Sequence, residues 1–147
     1  MAKILVSSCL IGCECRYKGD GCACEEIIAL GKEHQLIPVC PEQMGGLTTP
    51  RNPSEIVNGR LLMNDGTDVT KQYQKGAKTA LYLAKTLGAD FAILKAKSPS
   101  CGKGLIYDGT FTGNKIPGNG VTAQLLIDNG IEVFTEEELD KLPIKKD

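Results

Sequence analysis

Four short apolar runs limit what this chain can become: Ile4-Leu-Val6, Leu36-Ile-Pro-Val39, Phe91-Ala-Ile-Leu94 and Ile131-Glu-Val-Phe134. Each is too short for a buried helix and rich in β-branched or aromatic residues, so each reads as a strand. Pro38 suits an edge position or a strand beginning, because proline cannot donate to a ladder. Helical segments alternate with these runs. One is expected over Glu25–Glu33, a longer one from an Asp68 N-cap to Leu87 with Gly88 as its stop, and another over Thr122–Asn129 before Gly130. Val69, Tyr73, Ala77, Ala80, Leu81, Ala84 and Leu87 recur at helical spacing, so one face of the long helix packs on a sheet and Tyr73 reads as core. A final helix is expected after Thr135, its positive end met by Glu136, Glu137 and Glu138. Alternating strands and helices give an α/β fold: a mainly parallel, Rossmann-like sheet with helices on both faces.

The 147 residues are the length of one domain, residues 1–147, and no linker or repeat divides them. Hairpins are expected around Asn58-Gly59 and through Leu105–Tyr107 with Thr110–Thr112. The stretches 8–21, 41–53 and 98–120 are long Gly- and Pro-rich loops. Loops of that length point to a site built on them, at the carboxyl edge of the sheet. A net charge of −1 gives no electrostatic case for nucleic acid or an anionic membrane, and no apolar run approaches the ~20 residues that span a bilayer. The first residues carry too short an apolar stretch for a signal peptide, so a cytoplasmic protein is expected.

In a reducing compartment seven cysteines are an anomaly. The number is odd, and five fall between Cys9 and Cys24, so a disulfide framework fits poorly and metal or redox chemistry is favoured. Three of them lie just past expected strands: Cys9, Cys40 and Cys101. The carboxyl ends of parallel strands open on one edge, where ligands bind in open α/β folds, so these three thiols are expected to converge on a shared metal. Three protein thiolates suit a metal with one open position. No C-x-x-C is present, which argues against a thioredoxin-like pair and an ordinary zinc ribbon. Ser98-Pro-Ser-Cys-Gly102 sets a hydroxyl, Ser100, beside Cys101, and Cys40-Pro-Glu42 sets a carboxylate near Cys40. Such groups beside an open metal are what proton transfer to a bound substrate or water requires, so Glu42 and Ser100 are the candidate catalytic residues.

Further blocks carry a resemblance. Ser8-Cys-Leu-Ile-Gly12 with Arg16-Tyr17, Val39-Cys-Pro-Glu42 with Gly45-Gly-Leu and Thr49-Pro-Arg51, Lys95-Ala-Lys-Ser-Pro-Ser-Cys-Gly102, Ile106-Tyr-Asp-Gly109 and Gly120-Val-Thr-Ala123 follow in order from Lys3 to Phe134. Together they resemble a widespread prokaryotic domain family whose characterised members are thiouracil desulfidases. The resemblance implies a [4Fe–4S] cluster held by Cys9, Cys40 and Cys101, with one iron not ligated by protein and free to meet the sulfur of a thiocarbonyl substrate. It also implies that Glu42 and Ser100 assist. The expected substrate is a thiolated pyrimidine such as 2-thiouracil, converted without redox change to uracil and sulfide. Arg16 and Arg51, in loops near the proposed edge, are candidates to donate hydrogen bonds to a pyrimidine carbonyl. Lys95 and Lys97 are candidates to neutralise cluster charge.

The sequence departs from the family pattern at Lys18-Gly-Asp-Gly-Cys-Ala-Cys24, and Cys13, Cys22 and Cys24 are extra thiols. With Cys15 they either hold a second metal, such as a structural zinc, or are spare; the second is favoured. The alternative from another class is a carrier that stores sulfide, metal or a cluster with the same thiolates and without catalysis.

Overall fold

The computed structural model describes residues 1–144. Strands β1 (Lys3–Ser7), β2 (Gln35–Val39), β5 (Phe91–Leu94) and β8 (Val133–Thr135) form one parallel sheet in the order β2-β1-β5-β8. Central β1 pairs with β2 on one side and β5 on the other, so the connections leave it in opposite directions. Edge strand β2 accommodates Pro38 there. Two antiparallel hairpins stand apart from the sheet: β3 (Ser54–Val57) with β4 (Arg60–Met63), and β6 (Leu105–Tyr107) with β7 (Lys115–Pro117). The first turns at Asn58-Gly59, both in the left-handed region, as the dipeptide predicts. The second differs from expectation in its return strand, which is Lys115–Pro117 rather than Thr110–Thr112; Phe111 and Gly113 there take positive φ and belong to the turn.

Both faces of the sheet are covered. On one, Ile4, Val6, Phe91, Ile93 and Phe134 pack with Ile27 of α1 (Glu25–Leu30) and with Leu10. On the other, Leu5, Val39, Ala92, Leu94 and Val133 pack with Ala84 of α3 (Thr70–Leu87) and with Ala123 and Leu126 of α4 (Val121–Asp128). The Asp68 carboxylate accepts the Thr70 N–H at 2.9 Å, so it caps α3 from two residues before the first helical position. The final helix does not form among the described residues. After β8 the chain makes turns and one 3-10 turn, Leu139–Lys141. The cap contacts form, with Glu138 Oε1 accepting the Thr135 N–H at 3.1 Å and the Thr135 hydroxyl accepting the Glu137 N–H at 3.2 Å, but no α-helix follows them. Glu136 pairs with Lys95, Glu137 with Lys97 and Glu138 with Lys103, tying this segment to the chain that follows β5.

A short helix, α2 (Pro41–Met44), begins directly after Cys40, with Pro41 at its first position. It crosses α3 at main-chain contact. A Cβ built on Gly76 would lie 1.8 Å from the Pro41 carbonyl oxygen, and one on Gly45 would lie 1.9 Å from the Gln72 carbonyl oxygen. Gly76→Ala gains about 1 kcal/mol of helix propensity. That gain loses to a collision with backbone that no side-chain rotation relieves, and overpacking of this kind costs about 1–3 kcal/mol or more. The variant is expected to melt several degrees lower by circular dichroism, and an unchanged midpoint would mean that α2 and α3 are free to part.

Candidate active site

The carboxyl ends of β1, β2 and β5 open on a cavity of about 520 Å³, within the range of small-molecule sites. Cys9, Cys40 and Cys101 all line it, as do Glu42, Arg16, Arg51 and Lys95. Cys9 sits in a 3-10 turn, Ser8–Ile11, that follows β1 without a break. The Cys22 N–H donates to its carbonyl at 2.8 Å and the Cys24 N–H to that of Leu10 at 2.8 Å, so the 22–24 segment braces this turn through its backbone. Cys40 is the residue before α2. Cys101 is held by a tight loop whose Ser98 hydroxyl accepts the N–H groups of Ser100 (3.1 Å) and Cys101 (3.0 Å). The Pro99 and Ser100 carbonyls then accept the Val121 (2.9 Å) and Thr122 (2.8 Å) N–H groups at the start of α4. Those helix donors would otherwise lack partners. Gly102 and Gly120 make this packing possible, since a Cβ on either would lie within 2.7 Å of the loop's backbone.

One further thiol joins these three. Cys15 is 5 % exposed and lines the same cavity, whereas Cys13, Cys22 and Cys24 do not. All seven cysteines are free. Burial is the main cause that pushes the Cys101 thiol up to about 12, against the Ser7 and Ser100 hydroxyls, which pull the other way. Hydrogen bonding to Cys15 and burial raise the Cys40 thiol. At Cys15 the Cys40 contact lowers the value, but hydrogen bonding to Cys9 and burial outweigh it, and the thiol stands at about 11. These thiols keep their protons at neutral pH unless a cation replaces them. Among the described residues no group of three or more His, Cys, Asp or Glu closes on the spacing of a single metal ion. The arrangement fits a cluster better, whose several irons hold their thiolates apart, and all-thiol donors on separate loops are what iron–sulfur chemistry takes. Lys95 adds a cation at this edge. Burial works against its charge, but the Glu136 carboxylate at 2.8 Å holds it above its ordinary value.

Glu42 is oriented by two donors on one oxygen. The Tyr73 hydroxyl donates to Oε1 at 2.5 Å, and Arg51 Nε approaches the same atom at 3.4 Å. Tyr73 is buried, as its periodicity predicts, but its hydroxyl faces the site; a helical repeat identifies a buried ring and says nothing of where its polar tip ends. Burial, then the Glu42 charge, pushes its ionisation far above the usual phenol range, so Tyr73 remains a donor. Arg51, its side chain 3 % exposed, also donates from Nη1 to the Thr48 carbonyl and the Thr49 hydroxyl and from Nη2 to the Cys15 carbonyl, each at 3.0 Å. Four of its five N–H groups are therefore committed, and one on Nη2 is left for a ligand. Arg16 is freer: among the described residues its side chain makes one 3.5 Å approach, to Asp20. Ser100 does not line the cavity. It is fully buried behind Cys101, its hydroxyl 2.8 Å from that of Thr122.

Thiol reactivity follows ionisation and exposure. Iodoacetamide should label exposed Cys13 well before buried Cys9, Cys15 and Cys101 in the metal-free protein, as peptide mapping would read. Early labelling of Cys101 would contradict this burial order.

The model of the 2-thiouracil desulfurase family matches residues 4–138. The chain is 47 % identical over 149 residues to the uncharacterized protein YbbK of Bacillus subtilis (strain 168), across 95 % of this chain and 99 % of that one. It is also similar to a solved structure, the [4Fe–4S]-dependent thiouracil desulfidase TudS. The TM-score is 0.92 with 43 % identity, over 97 % of this chain and 95 % of that chain. Among the described residues no helix is long and apolar enough to cross a membrane.

Proposed function

The chain belongs to the 2-thiouracil desulfurase family, and from that premise we propose that it is a [4Fe–4S]-dependent desulfidase that hydrolyses the thiocarbonyl of a thiolated pyrimidine. Cys9, Cys40 and Cys101 would hold the cluster, leaving one iron without a protein ligand. The observation that carries this reading is the meeting of those three thiols and an oriented carboxylate, Glu42, on one cavity. The reaction is redox-neutral: 2-thiouracil and water give uracil and hydrogen sulfide. Held by these thiolates, such a cluster would supply a soft Lewis acid toward a thiocarbonyl sulfur, which makes the adjoining carbon more electrophilic.

The protein's own part is proton handling and positioning. Because Tyr73 and Arg51 both donate to Oε1, a proton taken up by Glu42 must ride on Oε2, which accepts no hydrogen bond among the described residues. Glu42 thus takes a proton from the attacking water on Oε2 and returns it to the departing sulfide. Tyr73 is a positioning residue, fixing which oxygen meets the water. Ser100 acts from behind the cavity wall, stabilising Cys101 as a thiolate and locking its loop against Thr122. Arg16 and the remaining N–H of Arg51, which line the same cavity, would donate to the carbonyl oxygen of the base. A sulfide or cluster carrier would have no use for a carboxylate held in this way.

Anaerobically reconstituted protein should release sulfide from 2-thiouracil as uracil forms. Glu42→Gln should retain iron and lose about 10²–10⁴-fold in kcat, the usual worth of a general base. Tyr73→Phe should lower kcat with little change in KM, and in a Glu42→Gln background it should have no further effect. Equal turnover by metal-free protein would end the reading.

A further inference from the structure

We propose that Cys15 is a fourth, exchangeable thiolate, which occupies the iron left open by Cys9, Cys40 and Cys101 until a substrate sulfur displaces it. The proposal rests on the cluster reading above and asks what else the same cavity offers that cluster. Of the four cysteines outside the strand-end set, Cys15 alone lines the cavity. It is 5 % exposed, and it shares that cavity with Cys9, Cys40 and Cys101. Cys15 packs with the core at this edge while also lining the cavity, and its backbone is tied down. The Cys15 carbonyl accepts Arg51 Nη2 at 3.0 Å and lies 3.9 Å from Cys40 Sγ, and the Cys15 N–H donates to the Cys13 carbonyl at 2.9 Å. The main chain is therefore fixed, and the thiol approaches or withdraws by rotation about its own side-chain bonds.

The four thiols are not equivalent. Cys9, Cys40 and Cys101 follow strands of the central sheet within a few residues, whereas Cys15 sits in irregular chain between the Ser8–Ile11 turn and α1. The ligand to give way is the one that no strand of the sheet presents, and it leaves by turning its side chain on a fixed main chain. The exchange is redox-neutral: one iron–thiolate bond breaks, the substrate sulfur takes that position, and the freed Cys15 thiolate takes a proton from solvent. Arg51 joins Cys15 to the catalytic carboxylate, since it holds the Cys15 carbonyl and Glu42 Oε1 with one guanidinium. The advantage of a fourth thiolate is retention. A cluster with one iron unheld by protein loses that iron readily on oxidation and leaves a three-iron species.

Wild type, Cys15→Ser and, as a control outside the cavity, Cys13→Ser would each be reconstituted anaerobically. Iron and sulfide would be counted, and ferricyanide added while electron paramagnetic resonance follows the three-iron signal. All three proteins are expected to take up about four irons, set by the strand-end thiols. Cys15→Ser should then give at least fivefold more three-iron signal than wild type or Cys13→Ser. Equal signals in all three would overturn the role of Cys15 and leave the desulfidase reading standing. A Cys15→Ser protein that assembles no cluster would also overturn it, by making Cys15 an indispensable ligand. If wild type itself takes up no iron and sulfide, the desulfidase reading fails and this proposal with it.

Discussion

Everything at the site depends on the pairing of β1 with a parallel strand on each side. Three parallel strands in register end together, so the residues that follow them meet at one edge whatever their separation in sequence. Cys9, Cys40 and Cys101 span more than ninety positions and still share one cavity. The remaining elements fix what those strand ends carry. The Ser98 loop with α4 anchors Cys101, the 22–24 segment braces Cys9, and α2 turns Glu42 inward.

A second level of order lies in hydrogen bonds that each exclude an alternative. Two donors on Glu42 Oε1 leave the other oxygen without a partner among the described residues. Arg51 spends most of its capacity inside the protein, so it belongs more to the scaffold than to a substrate clamp. Buried thiols resist ionisation, and that resistance favours a cation that can take the place of their protons.

Much of this was legible in the sequence. The apolar runs gave the strands, Pro38 the edge, Asn58-Gly59 the hairpin, and strand-end placement the three cysteines. The expectations that failed did so for tertiary reasons. Glu136, Glu137 and Glu138 suit a helix start equally well as partners for Lys95, Lys97 and Lys103, and only the fold decides between them. Phe111 and Gly113 need positive φ, which a run of alternating threonines conceals. Tyr73 reads as core because it is core; the Glu42 carboxylate that its hydroxyl meets lies 31 positions away. The Cys13–Cys24 segment looks like one cluster by spacing, yet the fold sends one of its thiols inward and uses the backbone of two others as a brace.

The seclusion of Arg51 has a consequence for the medium in which the protein works. Dissolved ions screen charges they can approach, and they cannot easily approach a guanidinium whose side chain is 3 % exposed. Its hold on Glu42 and on the Cys15 carbonyl should therefore be nearly indifferent to ionic strength. The Lys97–Glu137 pair, with side chains 33 % and 59 % exposed, should loosen as salt is added. Rising salinity would slacken the outer seam of the site while leaving the direction of its carboxylate unchanged.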